Sequence, residues 1–219
     1  MSTFEKIIEV IFHLDKYLGL LIEKFGVGVL IILFLVIFAE TGLVITPFLP
    51  GDSLLFAAGT IAAQGNLQIM VLFLILSLAA ILGDSVNYRI GKSLGTKVFR
   101  ENSKYFRKEY LIKTERFYEK YGPKTIILAR FIPIIRTFAP FIAGIGRMNY
   151  LKFIIYNVIG GVSWVTIFLF GGYFFGNLPW VKENFELVLL TIIFYSFIPI
   201  IWEIMKHNWK KRRNNGESS

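Results

Sequence analysis

Four charged side chains lie within strongly apolar sequence: the acids Glu40 and Asp52, and the bases Arg130 and Arg136. A charge at bilayer depth costs from ~2.5 to over 10 kcal/mol depending on how it is measured, so such residues are kept where something pairs with them or uses them. Arginine stays charged and fits phosphate well, whereas a carboxylate can exchange protons. The four residues therefore predict a site that binds phosphate through its arginines and couples binding to protons through its acids.

Two other interpretations of these polar residues stay open. The four charges could form two permanent ion pairs that hold segments together without any transport, since buried pairs can serve specificity. Asp84 and Tyr88, four residues apart on one helix face, either extend a polar path or, for Asp84, lie near the membrane interface. The glycines of 83–95 and 171–176 are interpreted as helix-packing positions, and the tryptophans, including Trp164, as core or interface anchors.

The composition is that of a membrane protein. The 219 residues are 55% hydrophobic and 16% aromatic, with only 18% charged, which is too apolar for a soluble surface. No short, cleavable leader pattern is expected at the start of the chain. The length fits one membrane domain.

Residue types also argue against covalent chemistry. There is no cysteine, and the two histidines, His13 and His207, lie near the ends. The chain therefore cannot form a cysteine nucleophile or a thiolate metal site. Serine or histidine hydrolases of lipid or peptide bonds need an imidazole near the reacting atom, and the apolar segments offer none. We expect no enzyme activity, no metal and no cofactor.

The formal charge of +9 is concentrated in two regions, 89–124 and the C-terminal end near 206–213. By the positive-inside rule both regions face the cytoplasm, which places the C-terminus there. Nucleic acid binding is disfavoured because these charges flank apolar spans. The nearly neutral N-terminal segment does not indicate its side of the membrane.

Hydrophobic periodicity predicts an all-α polytopic membrane protein. Two apolar stretches contain helix breakers, Pro47, Pro50 and Gly51 in the first and Pro133 and Pro140 in the second. The predicted elements are an amphipathic helix (1–26), a re-entrant hairpin (27–64), a transmembrane helix (67–96), a cytoplasmic amphipathic helix (100–121), a second re-entrant hairpin (123–147), two transmembrane helices (149–177 and 184–206) and a basic cytoplasmic tail (207–219).

Charge also favours a second stretch that enters and returns. If 125–147 crossed the membrane, the two later spans would place 210–213 on the side opposite to 89–124. The elements repeat in the same order in both halves, with an odd number of crossings between the hairpins. This predicts an inverted repeat whose broken segments meet near the midplane and bring all four charged residues together.

Four motifs resemble the DedA family, also called the SNARE-associated or VTT-domain family. They are "ETGLVITPFLPGD" (40–52), "GDSVNYRIGKSLG" (83–95), "ARFIPIIRTFAPFIAGIGRM" (129–148) and "FIIYNVIGGVSWV" (153–165). One departure is Lys92, where the family often has arginine. The resemblance implies an inner-membrane protein with two opposed re-entrant loops, whose essential acids match Glu40 and Asp52 and whose essential arginines match Arg130 and Arg136.

The resemblance also implies a function. Bacterial members look like transporters of polyprenyl phosphate or other phospholipids that are coupled to ion gradients of protons or sodium. We therefore expect a flippase for a lipid phosphate, with undecaprenyl phosphate as the leading substrate. Two alternatives stay open: a proton-coupled exporter of small molecules or drugs, and a scaffold for other envelope proteins that transports nothing. Oligomeric state, coupling ion and direction of transport are not readable from the sequence.

Overall fold

The computed structural model describes residues 20–22, 24–43, 51–65, 67–94, 108–185, 187–188 and 190–192. All regular secondary structure in these ranges is helical, which confirms the all-α prediction for this part of the chain. Most of the predicted N-terminal amphipathic helix, Pro47 and Pro50, most of the last predicted span and the basic tail lie outside the described residues.

Nine α-helical segments occur in the described ranges. They are α1 (Val29–Gly42), α2 (Gly51–Ala63), α3 (Ile69–Leu94), α4 (Lys108–Tyr121), α5 (Thr125–Ala129), α6 (Pro133–Ile145), α7 (Tyr150–Val165), α8 (Gly171–Phe175) and α9 (Pro179–Glu183). Short 3-10 turns precede α1 and α5, at Gly26–Gly28 and Gly122–Lys124. A π-helical segment, Thr166–Phe170, joins α7 to α8 without a break.

Two helices in the described part of the chain are long and apolar enough to cross a membrane: α3 and the continuous helix Tyr150–Phe175, each of 26 residues. At 1.5 Å per residue each measures about 39 Å, which exceeds the roughly 30 Å of a hydrocarbon core. Large apolar side chains are exposed at helical spacing on α3, at Met70, Leu74 and Leu78. This stripe suits contact with lipid.

The remaining apolar helices are about half that length. Helices α2 and α6 have 13 residues each, or roughly 20 Å, which is too short to cross the hydrocarbon core alone. Helix α1 has 14 residues and is continued at its start by the 3-10 turn, so that the apolar segment is Gly26–Gly42. Helices α1 and α6 both pack along α3, and α2 packs against α8 and the π-helical segment. The amphipathic helix α4 packs on α6. The long helices therefore form a frame on which the half-length helices lie.

The second stretch with helix breakers, 123–147, is interrupted at one of its two prolines and not at the other. Helix α5 ends at Ala129, and α6 begins at Pro133, where a missing N–H costs no helical hydrogen bond. Pro140 lies inside α6, so the prediction that it breaks the segment is wrong. Packing of α6 along α3 and against α4 offsets the one backbone hydrogen bond that this proline removes.

The buried side chains form two apolar clusters with polar residues between them along the long helices. One cluster includes Leu72 and Leu76 of α3, and the other includes Tyr88 of α3 and Phe153 of α7. Asp84 lies between the two clusters on α3, near the middle of that helix. The carboxylate of Asp84 thus lies near the middle of α3. In a helix that spans a membrane, an unpaired charge would be most costly at this position.

Candidate functional site

Arg136 occupies the centre of a cluster that joins three half-length helices. It lies in the first turn of α6, and its Nη2 is 3.1 Å from Oε1 of Glu40, in the last turn of α1. Its Nη1 donates a hydrogen bond of 3.2 Å to Oδ1 of Asp52, at the start of α2. Glu40 and Arg136 are buried. One guanidinium therefore compensates two carboxylates, one from each side of the 44–50 connection.

Gly51 allows the start of α2 to approach Glu40. Its backbone N–H donates to Oε1 of Glu40 over 3.3 Å, which satisfies one of the free N–H groups of the first helical turn. A Cβ atom at position 51 would collide with the Glu40 carboxylate. Gly51 was predicted as a helix breaker. It is the first residue of α2 and lies directly against the Glu40 carboxylate.

Trp164 contacts both Arg136 and Asp52. The Cζ atom of Arg136 lies 4.1 Å from the centroid of the indole ring, which is a cation–π geometry. The indole N–H donates a 2.8 Å hydrogen bond to Oδ1 of Asp52, the same oxygen that accepts from Arg136. Trp164 is fully buried, so it is a core residue as predicted, but the prediction missed its contact with the charges.

Arg130 lies in a second cluster. Its Nη2 donates hydrogen bonds of 2.6 Å to Oδ2 of Asp84 on α3 and 2.6 Å to Oδ1 of Asn157 on α7. The Asn157 amide donates in turn to the carbonyl of Ile81 over 2.9 Å. The expectation that all four predicted charges meet in one group is therefore not met, because Arg130 pairs with Asp84 instead of with Glu40 or Asp52.

Two consecutive glycines of α7 make room for the Arg130 side chain. A Cβ atom on Gly160 would lie 3.1 Å from Cδ of Arg130, and one on Gly161 would lie 3.3 Å from its Nη2. Asn157, Gly160, Gly161 and Trp164 follow the i, i+3, i+4, i+7 spacing of one helix face. This face of α7 thus contacts both arginine clusters.

Asn87 connects the two broken stretches. Its Nδ2 donates to the carbonyl of Thr41, at 3.2 Å, and to the carbonyl of Thr137, at 2.9 Å. These residues directly follow Glu40 and Arg136 in the chain. Asn87 is fully buried on α3. One amide therefore fixes the backbones that carry the acid and its arginine relative to each other.

Asp84 and Tyr88, the two residues predicted to extend the polar path, contact different partners. Asp84 pairs with Arg130, as above, whereas the Tyr88 hydroxyl donates to the backbone carbonyl of Met148. The Tyr88 ring stacks on Phe153, with centroids 4.5 Å apart. Tyr88 therefore belongs to the apolar cluster at that end of α3, and the structure gives it no contact with either arginine.

Several buried polar atoms of the clusters have no hydrogen-bond partner among the residues that the structure describes. They include Oε2 of Glu40, Nε of Arg136, and Nε and Nη1 of Arg130. Buried groups of this kind are rare and costly in proteins. Guanidinium N–H groups without an acceptor are suited to receive an anion. In the described ranges no group of three or more His, Cys, Asp or Glu residues could hold a metal ion.

Asn87, Asn157 and Trp164 belong to the site, although sequence reasoning singled out none of them for it. A signal did exist, because Asn87 and Asn157 are uncharged polar residues inside the two longest apolar stretches. A buried amide in such a helix has to find hydrogen-bond partners on other helices.

Comparison with known proteins identifies the family. The VTT domain model matches residues 49–174. Protein DedA of Escherichia coli K12 is 52% identical over 210 residues, covering 94% of this chain and 96% of DedA. The chain belongs to the DedA family. Family membership predicted from the four motifs is thus confirmed.

Relatives of lower sequence identity are named as membrane proteins. The uncharacterized membrane protein Rv0364 of Mycobacterium tuberculosis is 42% identical over 197 residues, covering 89% of this chain and 86% of its own. The inner membrane protein YqjA of Escherichia coli K12 is 30% identical over 188 residues, covering 84% and 86%. No solved structure matches the chain. This DedA family protein is a membrane protein, as its composition predicts.

Proposed function

We propose that this protein moves a lipid phosphate between the two leaflets of the inner membrane, with undecaprenyl phosphate as the leading substrate. The phosphate binds the buried arginines while the apolar tail stays in the surrounding lipid. The transport is coupled to a proton or sodium gradient and involves no covalent step. Phospholipids with an exposed phosphate are the second substrate class within this proposal.

The balance of charge supports coupling to a cation. Glu40, Asp52 and Asp84 face Arg130 and Arg136, so the acids of the two clusters outnumber the bases by one. An anion that reaches Arg136 takes the place of a carboxylate, which then loses its guanidinium counter-charge while it is still inside the protein. An unpaired buried charge costs several kcal/mol. A proton or a sodium ion that arrives with the lipid removes this cost.

The two arginines are suited to different parts of the task. Arg130 uses one nitrogen, Nη2, for Asp84 and Asn157, and its Nε and Nη1 groups have no acceptor in the described part of the chain. It can accept a phosphate oxygen without releasing its partners. Arg136 faces Glu40 through Nη2 and Asp52 through Nη1, so a phosphate that binds these two terminal nitrogens takes the place of a carboxylate. Arg136 therefore links substrate binding to the acids.

The proposed route uses the half-length helices. Stretches 27–64 and 123–147 enter the membrane from opposite faces and return, so that their broken ends meet at the buried charges. The phosphate reaches these charges from one leaflet and leaves to the other as the two stretches open in turn. The C-terminus lies in the cytoplasm in this arrangement.

One observation carries the proposal: a buried arginine is held by two carboxylates that it can exchange for an anion. The test is lipid exchange in proteoliposomes that contain undecaprenyl phosphate, read as the fraction cleaved by a phosphatase added outside. Arg136→Lys keeps the positive charge but loses the planar guanidinium group, which can donate two parallel hydrogen bonds to a phosphate. We expect exchange to fall at least about tenfold, because a charge-assisted hydrogen bond contributes about 1.5–3 kcal/mol.

The matched control is Arg89→Lys, which makes the same change at an exposed position of α3. We expect exchange by this variant to equal that of the wild type. A neutral lipid in the same vesicles reports any general leak. Equal exchange by Arg136→Lys and wild type would contradict the role of Arg136, and wild-type vesicles without exchange of any lipid phosphate would contradict the function.

A further inference from the structure

Trp164 is held in one orientation on the face of α7 that carries both clusters. The ring is fully buried, and Phe168, one turn later, packs against it in an edge-on arrangement with centroids 6.3 Å apart. The indole N–H points to Asp52, and the ring face covers the guanidinium of Arg136. A fixed indole therefore contacts both partners of one ion pair.

The two contacts are independent of each other. The cation–π contact attracts Arg136 whether or not a carboxylate is bound, because it depends only on the positive charge over the ring. The indole N–H satisfies Asp52 whether or not Arg136 is beside it. When the ion pair separates, each partner keeps one contact with Trp164.

We propose that Trp164 is a positioning residue that holds Arg136 and Asp52 in place while an anionic headgroup takes the place of the carboxylate. This inference rests on the proposed function and adds to it a residue that neither binds the lipid nor carries a proton. Because both contacts persist while the Arg136–Asp52 pair separates, Trp164 keeps the two side chains in place for the incoming headgroup, and its effect is on the rate of exchange.

Burial alone does not account for the choice of tryptophan. A buried indole N–H needs an acceptor, and a backbone carbonyl of a neighbouring helix would suffice. Here the acceptor is Oδ1 of Asp52, the atom that also accepts from Arg136. Phenylalanine at position 164 would keep the ring and lose the donor, whereas leucine would lose both, so these two substitutions separate the contacts.

The first measurement is exchange of lipid phosphate by variants at position 164. We expect exchange to fall about tenfold in Trp164→Phe, from loss of the hydrogen bond, and further in Trp164→Leu, from loss of the cation–π contact as well. Trp180→Leu removes an exposed tryptophan outside the clusters and should leave exchange unchanged. The thermal midpoint in detergent shows whether each variant is folded.

The second measurement is the fluorescence of Trp164 itself, which reports whether the charges beside the ring change partner. Trp180, Trp202 and Trp209 are replaced by phenylalanine, so that Trp164 is the single tryptophan. Vesicles with undecaprenyl phosphate should shift its emission because Arg136 changes partner beside the ring, and vesicles of neutral lipid should not. Arg136→Lys should reduce the shift.

The outcomes separate the two claims. If the wild type exchanges lipid phosphate and both position-164 variants do so equally well, or if the emission of Trp164 does not respond, the positioning role is wrong and the proposed function stands. If the folded wild type exchanges no lipid phosphate, the proposed function fails and the positioning role fails with it. Graded loss in the order Phe, then Leu, with an emission shift, supports both.

Discussion

The side-chain amide of Asn157 sets the position of Arg130. Its oxygen accepts from Nη2 of the arginine, and its nitrogen donates to the carbonyl of Ile81, so neither end of the amide can turn freely. The same nitrogen lies 3.4 Å from the hydroxyl of Ser85. Arg130 is thus held between α3 and α7 by a neutral group and a carboxylate, which leaves its other nitrogens available.

Asn157→Leu removes this acceptor with little change in size. We expect it to lower the free energy of unfolding by about 1–3 kcal/mol, because one N–H of a buried guanidinium loses its partner. It should also slow lipid exchange, since Arg130 is no longer oriented. Thermal unfolding in detergent and exchange in proteoliposomes measure the two effects.

Asn184→Leu is the matched control for this change. The Asn184 amide donates to the carbonyl of Trp180, four residues earlier, and Asn184 lies far from both arginines in the sequence. Its effect on unfolding should be within about 0.5 kcal/mol. An Asn157→Leu variant as stable and as active as the control would show that Asp84 alone positions Arg130.

Sequence reasoning identified the charged residues of the site better than their partners. Glu40, Asp52 and Arg136 stood out because charge inside apolar sequence needs a partner, and the structure brings these three together. The partner of Arg130 was not predictable. Position along α3 gives the depth of Asp84 in the membrane but not the face of the helix that meets another segment, which depends on packing.

Close glycine contacts join α2 and α6 each to a long helix of the opposite half of the chain. A Cβ on Gly91 of α3 would collide with the carbonyl of Phe141 in α6. A Cβ on Gly172 of α8 would collide in the same way with the carbonyl of Phe56 in α2. Such contacts let helix backbones approach closely. The second half of each broken stretch is thereby fixed to the other repeat.

Gly172→Ala tests this contact at the level of the helix pair. The added methyl group meets backbone, which cannot move aside as a flexible side chain can, so α8 has to separate from α2. We expect the free energy of unfolding to fall by about 1–3 kcal/mol. Exchange should slow as well, because α2 carries Asp52. Thermal unfolding and exchange are measured on the same preparation.

The neighbouring glycine provides the control for this substitution. A Cβ on Gly171 would have only Cδ2 of Phe56 nearby, at 4.0 Å, which is ordinary van der Waals contact. Gly171→Ala should therefore be neutral, or stabilising by up to about 1 kcal/mol through the reduced freedom of the unfolded chain. Equal destabilisation by both substitutions would mean that the close contact of Gly172 with α2 does not explain the effect.

The order of elements predicts a repeat, but it does not predict that α2 and α6 each pack against a long helix of the other half of the chain. The pairing of Gly91 with Gly172 and the likeness of "LFAAG" (55–59) to "FIAG" (141–144) are visible in the letters. Which long helix each stretch packs against depends on the whole fold. Pro140 was misjudged for the same reason, because tertiary contacts of α6 decide whether a proline interrupts it.

The arrangement of the whole molecule depends on whether 123–147 enters the membrane and returns. Helix α5 and the turn before α6 are too short to cross, and α6 alone measures roughly 20 Å. The positive-inside rule predicts that the end of α3 next to the basic region 89–124 faces the cytoplasm. A stretch that returns places the start of α7 on the same side, and the buried charges at mid-height.

Variants with one introduced cysteine test this topology by labelling, because the chain itself contains no cysteine. Exposed positions are Gln64 and Ser93 at the two ends of α3, and Lys124 and Lys152 on either side of the second broken stretch. In intact cells, an impermeant maleimide should label Gln64→Cys, whereas Ser93→Cys, Lys124→Cys and Lys152→Cys should react only after the membrane is opened. If Lys124→Cys and Lys152→Cys instead reacted from opposite sides, α5 and α6 together would form a crossing. The continuous helix Tyr150–Phe175 would then run in the reverse direction through the membrane, and two stretches opening to opposite faces could not share the cluster around Arg136.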